Sequence, residues 1–367
     1  MLLRCLKVTN FRNLKTINIE LGNRLNVFFG DNGSGKTSLL ESVHTLSSSR
    51  SFRSRKHKTI INHSADHYTL YSLLADDVST STIGVQRDIS GSSLFRVNQN
   101  TVQSSSVLAE LLPVRVINAH SFLILDGAPQ ERRKLLDWLV FHVEHDFLNL
   151  WKSYEKCIKQ RNTLLRHDKI GQLELSSWQS RLAALAPQMD AKRVKVFELL
   201  KSEFNDLIAD VDELPEGIEL QYRRGWDKET DYTDYLLQHQ LRDQQLGYTR
   251  QGPHRADIRV TVDGRLAADV LSRGQQKMVV CALLLSQGRV FTNVLNKQSV
   301  YLVDDMAAEL DESFRRRLCS WLNQLGCQVF ITGVDKDSIL SVWPKSEVNT
   351  VRVFHVEHGS VNPCEDD

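Results

Sequence analysis

Gly30-Asp31-Asn32-Gly33-Ser34-Gly35-Lys36-Thr37 fits G-x-x-x-x-G-K-[ST] at every fixed position. The pattern constrains the fold as well as the chemistry, because such a loop works only between a buried strand and the start of a helix. Both neighbours are present: residues 25–29 read as a short buried strand, and Ser38-Leu39-Leu40-Glu41-Ser42-Val43 opens a helix. Glycines let successive backbone N–H groups face one anion, and the helix N-terminus adds its positive end. Lys36 is expected to reach the β- and γ-phosphates of a nucleotide and Thr37 to offer its hydroxyl to Mg2+. Gly30, Asp31, Asn32, Gly33, Ser34, Gly35 and Ser38 complete the cradle. Such a cradle serves many families and does not by itself name a function.

Two later stretches supply the rest of a site. Leu271-Ser272-Arg273-Gly274-Gln275-Gln276-Lys277 precedes a strongly apolar helix running from Met278 to about Phe291. A helix start of this kind can hold an anion, with Ser272, Gly274 and Gln275 nearest to it. Ser299-Val300-Tyr301-Leu302-Val303-Asp304-Asp305 then reads as a buried parallel strand ending in carboxylates, where an open α/β sheet places its ligands. Asp304 is placed to hold Mg2+, directly or through water. Asp305 is placed to orient or deprotonate an attacking water. Ala307-Ala308-Glu309-Leu310-Asp311 follows, and residues 328–332 form another strand after a helix carrying Arg315, Arg316, Arg317, Leu318 and Trp321. Singly these pieces are a cap, a core strand and a turn; in this order they compose one site.

The chain of 367 residues allows two or three domains. Residues 1–30 read as strands, with Ile17, Ile19 and Leu21 alternating with polar residues. Residues 67–118 continue in the strand manner as an antiparallel sheet, with turns at Asp76-Asp77 and Ser90-Gly91-Ser92. At Pro129 the period becomes helical and persists to about Leu165; a second helical pattern runs from Leu173 to about Val211, with a break expected at Pro187. A shorter one spans Tyr232 to Leu246. Strands return at Gly247, with a hairpin at Asp263-Gly264. The expected fold is α/β: an ATPase lobe whose N-terminal half is residues 1–125, a helical arm lobe of residues 126–246, and the lobe's C-terminal half in residues 247–367.

A formal net charge of +1 means that a nucleic-acid surface would have to be a local patch. One exists: Arg50, Arg53, Arg55, Lys56 and Lys58 stand within nine residues, with Phe52 among them. This run is read as a DNA contact, against the alternative of a solvated basic loop. Arg12 is equally a residue over the phosphates or a solvated loop arginine, and His254 is more readily structural than functional. The six cysteines are scattered without a C-x-x-C pair, as expected of reduced thiols. The start, Met1-Leu2-Leu3-Arg4-Cys5-Leu6-Lys7, is charged too early for a signal peptide, and no apolar run approaches the roughly 18 residues that cross a bilayer. A soluble cytoplasmic protein is expected.

This order of motifs resembles the ABC-type ATPases and, among them, the head domains of the structural-maintenance-of-chromosomes (SMC) family. It is more similar to the RecF family of bacterial recombination and gap-repair proteins. That resemblance rests on Asn10-Phe11-Arg12-Asn13-Leu14, the loop from Gly30 to Thr37 with Ser38-Leu39-Leu40-Glu41, and the segment from Gly127 to Asp137 containing Pro129-Gln130-Glu131-Arg132-Arg133. It rests equally on Gln251-Gly252-Pro253-His254-Arg255-Ala256-Asp257, on residues 271–277, and on Asp304-Asp305 with Glu309-Leu310-Asp311. The resemblance implies one ATPase lobe built from both ends of the chain and an ATP-dependent head-to-head homodimer. ATP with Mg2+ would lie between the P-loop of one subunit and Ser272-Arg273-Gly274-Gln275 of the other, with Lys36, Asp305 and Ser272 as catalytic residues. It further implies weak DNA-stimulated ATP hydrolysis, binding of gapped or single-strand/double-strand junction DNA, and cooperation with RecR and RecO in delivering RecA.

Two stretches depart from the pattern. Residues 117–122 read Ile-Asn-Ala-His-Ser-Phe where an acidic Pro-Asp type stretch is expected, and Thr332-Gly333-Val334-Asp335 lacks the histidine that many ABC ATPases carry. Competing readings are a chromosome-organising or Rad50-like head, which needs a far longer heptad insert; a defence ATPase, which needs a nuclease domain after the ATPase; a transporter subunit, whose half-sites lie closer together; and a non-hydrolysing scaffold gated by ATP, against which the intact Lys36, Thr37, Asp304 and Asp305 argue.

Overall fold

A computed structural model describes residues 2–76, 78–166, 171–344 and 351–364. Of the expected Asp76-Asp77 turn, Asp77 lies outside the described residues. The chain forms two compact units, residues 1–121 with 296–367, and residues 122–295.

The first unit is built on a six-stranded sheet in the order Ser360–Pro363, Val351–Glu357, Leu25–Phe29, Val329–Gly333, Val300–Val303, Val114–Ile117. Every pairing is parallel except that of the outer Val351–Glu357 and Ser360–Pro363 hairpin. The inner strands carry continuous apolar runs because both faces are covered. Phe28 stacks at 6.1 Å on Phe330 and at 4.8 Å on Phe354, tying three strands together across their register. The helix Lys36–Ser48 packs Leu39, Leu40, Val43 and Leu46 into the same core.

A second, antiparallel sheet in this unit holds Leu14–Glu20, Cys5–Phe11, His67–Ala75, Thr80–Asp88, Ser93–Val97 and Asn100–Val102 in that order, with Leu2–Leu3 beside His67–Ala75. Val114–Ile117, read from its alternation as part of this sheet, is instead the edge of the parallel one. Four residues cannot reveal which sheet they join; the pairing of Val116 with Leu302 decides it.

The second unit is mainly helical. One helical period from Pro129 divides into Pro129–Val143 and Phe147–Leu164, and Gln172–Ile208 is a single helix of 37 residues. Pro187 lies inside it without breaking it. That residue is exposed, on the side of the helix away from Leu182, Ala186 and Met189, which remain packed on the buried face. Ile218–Arg223, within a stretch expected to be helical arm, is a strand paired with Asp257–Val262.

The helix Arg273–Leu295 is, contrary to expectation, long and apolar enough to cross a membrane by length and composition. It is 72% buried in its most apolar window and forms the core of this unit. Residues 247–295 therefore cluster with the helices, whereas the expected division assigned them to the ATPase lobe.

Candidate functional site

Three parallel strands end side by side. Leu25–Phe29 runs into the glycine loop, Val300–Val303 into Asp304-Asp305, and Val329–Gly333 lies between them. The loop's shape follows from its glycines. Gly33 and Gly35 have φ of +82° and +123°, and a Cβ on Gly35 would sit 3.0 Å from Asn13 Nδ2. Asn13 explains that closeness: from the turn between Cys5–Phe11 and Leu14–Glu20, its amide donates to Ser34 O at 3.2 Å. At Gly30 a side chain would collide with the Val356 carbonyl.

Inside this cradle the Thr37 hydroxyl donates to Asp304 Oδ1 at 3.0 Å. The Thr332 hydroxyl donates to the same oxygen at 2.8 Å and accepts from the Asp305 N–H at 2.8 Å. Thr332 is the missed residue that fixes both acids. Its signal is a hydroxyl at the C-terminal end of an apolar strand, next to the strand bearing the loop. Burial, and the neighbouring Asp305 carboxylate, hold the Asp304 carboxyl above its ordinary pKa. Lys36 Nζ donates to Gly30 O at 2.6 Å and Asp31 O at 2.9 Å; burial lowers its pKa while Asp305, Asp304 and Asp31 oppose the shift. The Ser34 hydroxyl is buried without a hydrogen-bond partner.

These features fit a nucleotide with its metal. Thr37 Oγ1 and Asp304 Oδ1 are hard oxygen donors meeting at a single point. Mg2+ typically takes only one or two protein ligands and completes its shell with phosphate and water. Among the described residues no group of three or more His, Cys, Asp or Glu could hold a metal. The surrounding cleft, of about 480 Å3, is lined by Arg12, Asn32, Gly33, Gly35, Lys36, Thr37, Ser38, Asp304, Asp305 and Thr332.

Arg12 lines this cleft, yet its guanidinium is engaged with Glu41, at 3.0 and 2.7 Å, and its Nη1 donates to Thr59 O at 2.6 Å. Glu41 is wholly buried in the helix after the loop and also receives the Ser51 hydroxyl and, at 3.6 Å, Arg53. The basic run thus divides. All five cations are exposed, but Arg53, 46% exposed, also reaches Glu41 and lines the cleft, which the other four do not.

Ser272, Gly274 and Gln275 belong to the second unit. Ser272 N donates to Gln275 Oε1 at 3.0 Å and Gln275 N to Ser272 Oγ at 3.3 Å, a reciprocal cap that leaves the helix start exposed. Arg273 pairs with Asp126. The two most distinctive sequence segments meet in this unit. Arg132 holds Asp257 through two hydrogen bonds, at 2.7 and 3.2 Å, and Arg133 donates to Ala256 O at 2.7 Å. His254 is pinned between Tyr154 OH at 2.8 Å and Thr249 O at 3.0 Å, a structural post. In the first unit, Asn118 caps its own turn through Ser121.

A parallel sheet that gathers a P-loop and a strand-end acid pair, beside an antiparallel sheet and with a helical unit between the chain's two ends, defines an ABC/SMC-head-like protein. The RecF/RecN/SMC N terminal domain family matches residues 2–362. A curated protein named DNA replication and repair protein RecF, from Cellvibrio japonicus (strain Ueda107), is 47% identical over 97% of this chain and 98% of its own length. A solved structure described as the recombination mediator protein RecF-ATP in the RecFOR pathway superposes with a TM-score of 0.86 at 25% identity, covering 99% of this chain and 98% of that one. An Smc head bound to the C-winged helix domain of ScpA shares the fold at a TM-score of 0.58 and 14% identity, over 99% of this chain and 97% of the other. The chain belongs to the RecF family.

Proposed function

We propose that this chain is an ATP-dependent DNA-binding protein of recombinational repair in the bacterial cytoplasm. In this reading it binds gapped or junction DNA as an ATP-induced dimer, hydrolyses ATP slowly with stimulation by DNA, and works with RecR and RecO to deliver RecA. The observation that carries the ATP reading is the Thr37–Asp304 hydrogen bond at 3.0 Å, which joins the helix after the loop to the strand-end acid. Family membership and the RecFOR pathway of a similar structure support the repair role.

In this reading the loop amides and Ser34 Oγ bind the phosphates, and Lys36 exchanges its two carbonyl acceptors for phosphate oxygens. Thr37 and Asp304 would hold Mg2+, which when bound neutralises phosphate charge. Asp305, its backbone held by Thr332, accepts a hydrogen bond from the attacking water and orients it. Ser272 and Gly274 serve a second subunit's nucleotide. In support, a Cβ on Gly274 would meet nothing within 4 Å, so the chain's own packing does not require glycine there. A two-fold dimer pairs each such helix start with the other subunit's P-loop.

Sedimentation with and without ATP and gapped duplex tests the dimer. Mixing Lys36→Ala with Ser272→Arg chains tests the composite site, because one site of the mixed dimer is intact and regains part of the hydrolysis. A Ser272→Arg chain that hydrolyses ATP normally, or a parent that stays monomeric with both ligands at micromolar concentration, removes the composite site. DNA that leaves hydrolysis unchanged favours an ATP-gated scaffold.

A further inference from the structure

The second unit contains an open cleft of about 940 Å3 between the end of the Ile218–Arg223 strand, the Tyr232–Gln238 helix and residues 248–255. Five cations line it: Arg223, Arg224, Lys228, Arg250 and Arg255, against one acid, Asp227. In a chain with a net charge of +1 this is a second concentration of positive charge, separate in sequence from the 50–58 run.

Among the described residues only Arg250 is paired with a carboxylate, that of Asp243, and the other four cations make no such ion pair. Arg224 stacks on Trp226 at 4.2 Å, and its Nη2 donates to the Asp227 and Thr230 carbonyls; its Nε is buried with no acceptor. Arg250 Nε makes a long ion pair with Asp243, at 3.7 Å, but no hydrogen bond, and the other Asp243 oxygen is taken by Arg161. Arg255 lies over the exposed Tyr248 ring at 5.7 Å. Arg223, Lys228 and Arg255 are exposed.

The lining also says which polyanion fits. It includes no Val, Leu, Ile or Met, so it offers no socket for the apolar side chains of an acidic peptide. It does offer the exposed Tyr248 ring, and side-chain amides, Gln238 and Gln251, that suit nucleobases, while His239 is stacked on Tyr235 at 4.1 Å. Guanidinium forks match phosphate oxygens two at a time. We propose that this cleft binds a single-stranded nucleic-acid segment, its phosphates on the arginines and a base on Tyr248. The site is distinct from the duplex contact assigned to the 50–58 run, and it does not depend on that assignment.

The test uses full-length protein and fluorescence anisotropy with a labelled mixed-sequence single-stranded oligonucleotide, a blunt duplex, and a labelled acidic peptide. The variant is Arg223→Glu with Lys228→Glu and Arg255→Glu; an alanine triple at the same positions replaces it if thermal melting shows misfolding. Single-strand affinity is expected to fall at least about 10-fold at low salt, and the log–log salt slope by about 2, at roughly 0.7 for each phosphate left without its cation. Binding of a fluorescent ATP analogue should be unchanged, because the P-loop lies in the other unit. The same single-strand loss should not occur on replacing Arg55, Lys56 and Lys58. An unchanged single-strand affinity and slope, a loss confined to duplex, or saturable binding of the acidic peptide with no oligonucleotide competition would each overturn the proposal.

Discussion

Thr37 Oγ1 and Asp304 Oδ1 lie 3.0 Å apart although 267 residues separate them in the chain. The contact exists because the strands before each residue run parallel with one strand between them, and that middle strand contributes Thr332 to the same carboxylate oxygen. The proposed nucleotide site therefore draws on groups from the chain's opening and closing segments held in one register.

Lys36 Nζ now rests on two loop carbonyls, which mark where phosphate oxygens would replace them. Lys36→Ala should weaken ATP binding by roughly 100-fold, near the upper end of about 3 kcal/mol for a hydrogen bond to a charged group. Titration with a fluorescent ATP analogue measures it. Equal affinity for variant and parent would move the site elsewhere.

Asp305 has its backbone fixed by Thr332 and its carboxylate in the cleft. Asp305→Asn should retain ATP binding while slowing hydrolysis by about 100-fold or more, the usual range for a lost proton acceptor. Single-turnover phosphate release is the measurement, and an undiminished rate excludes Asp305 from the water's path.

The division of the basic run separates two variants. Arg55→Ala with Lys56→Ala and Lys58→Ala should flatten the salt dependence of duplex binding by about 0.9 in slope for each phosphate no longer neutralised. Arg53→Ala alone should chiefly weaken ATP binding, since Arg53 lines that cleft. If Arg53→Ala changes only DNA affinity, Arg53 acts with the other four cations of the run and not in the cleft.

Arg161 and Asp243 form a fully buried ion pair at 2.8 Å, and Arg161 also donates to Thr249 Oγ1 at 2.6 Å. Asp243→Ala leaves the guanidinium buried without its charge partner and should cost about 3–5 kcal/mol. Urea unfolding would report this as a lower midpoint. A shift under about 1 kcal/mol would mean that water reaches Arg161.

His254 titrates near 4 in the folded chain rather than 6.5, because burial disfavours its cation and Arg255, Arg133 and Arg193 repel it; the Thr249 carbonyl opposes the shift. A depressed folded pKa means that the unfolded chain holds the extra proton between these values. Stability is thus full above pH 6.5 and falls toward pH 4, by up to about 1.4 kcal/mol per pH unit. His254→Gln should remove that part of the slope. Parallel stability-versus-pH curves for variant and parent would contradict it.

Much of the site's outline is legible in residue order. The P-loop, the apolar strand ending in Asp304-Asp305 and the 328–332 strand are local patterns, and local patterns survive in a sequence. What escapes depends on distant partners. Glu41 looks like an ordinary helix acid until Arg12, Ser51 and Arg53 converge on it. Thr332 acquires its role only from the strands on either side. Pro187 reads as a helix break because its exposure, which makes it tolerable, is a property of the packed unit. The Ile218–Arg223 strand hides in the sequence because its pairing partner, Asp257–Val262, lies beyond two α-helices and a 3-10 turn.

The strand Val351–Glu357 flanks Leu25–Phe29 along its whole length, and its Val356 carbonyl bounds the space at Gly30. A ribosome making this chain at about 5–20 residues per second finishes the P-loop many seconds before it makes the strand that shapes one wall of that loop. That wall of the loop is therefore in place only once translation has passed residue 357.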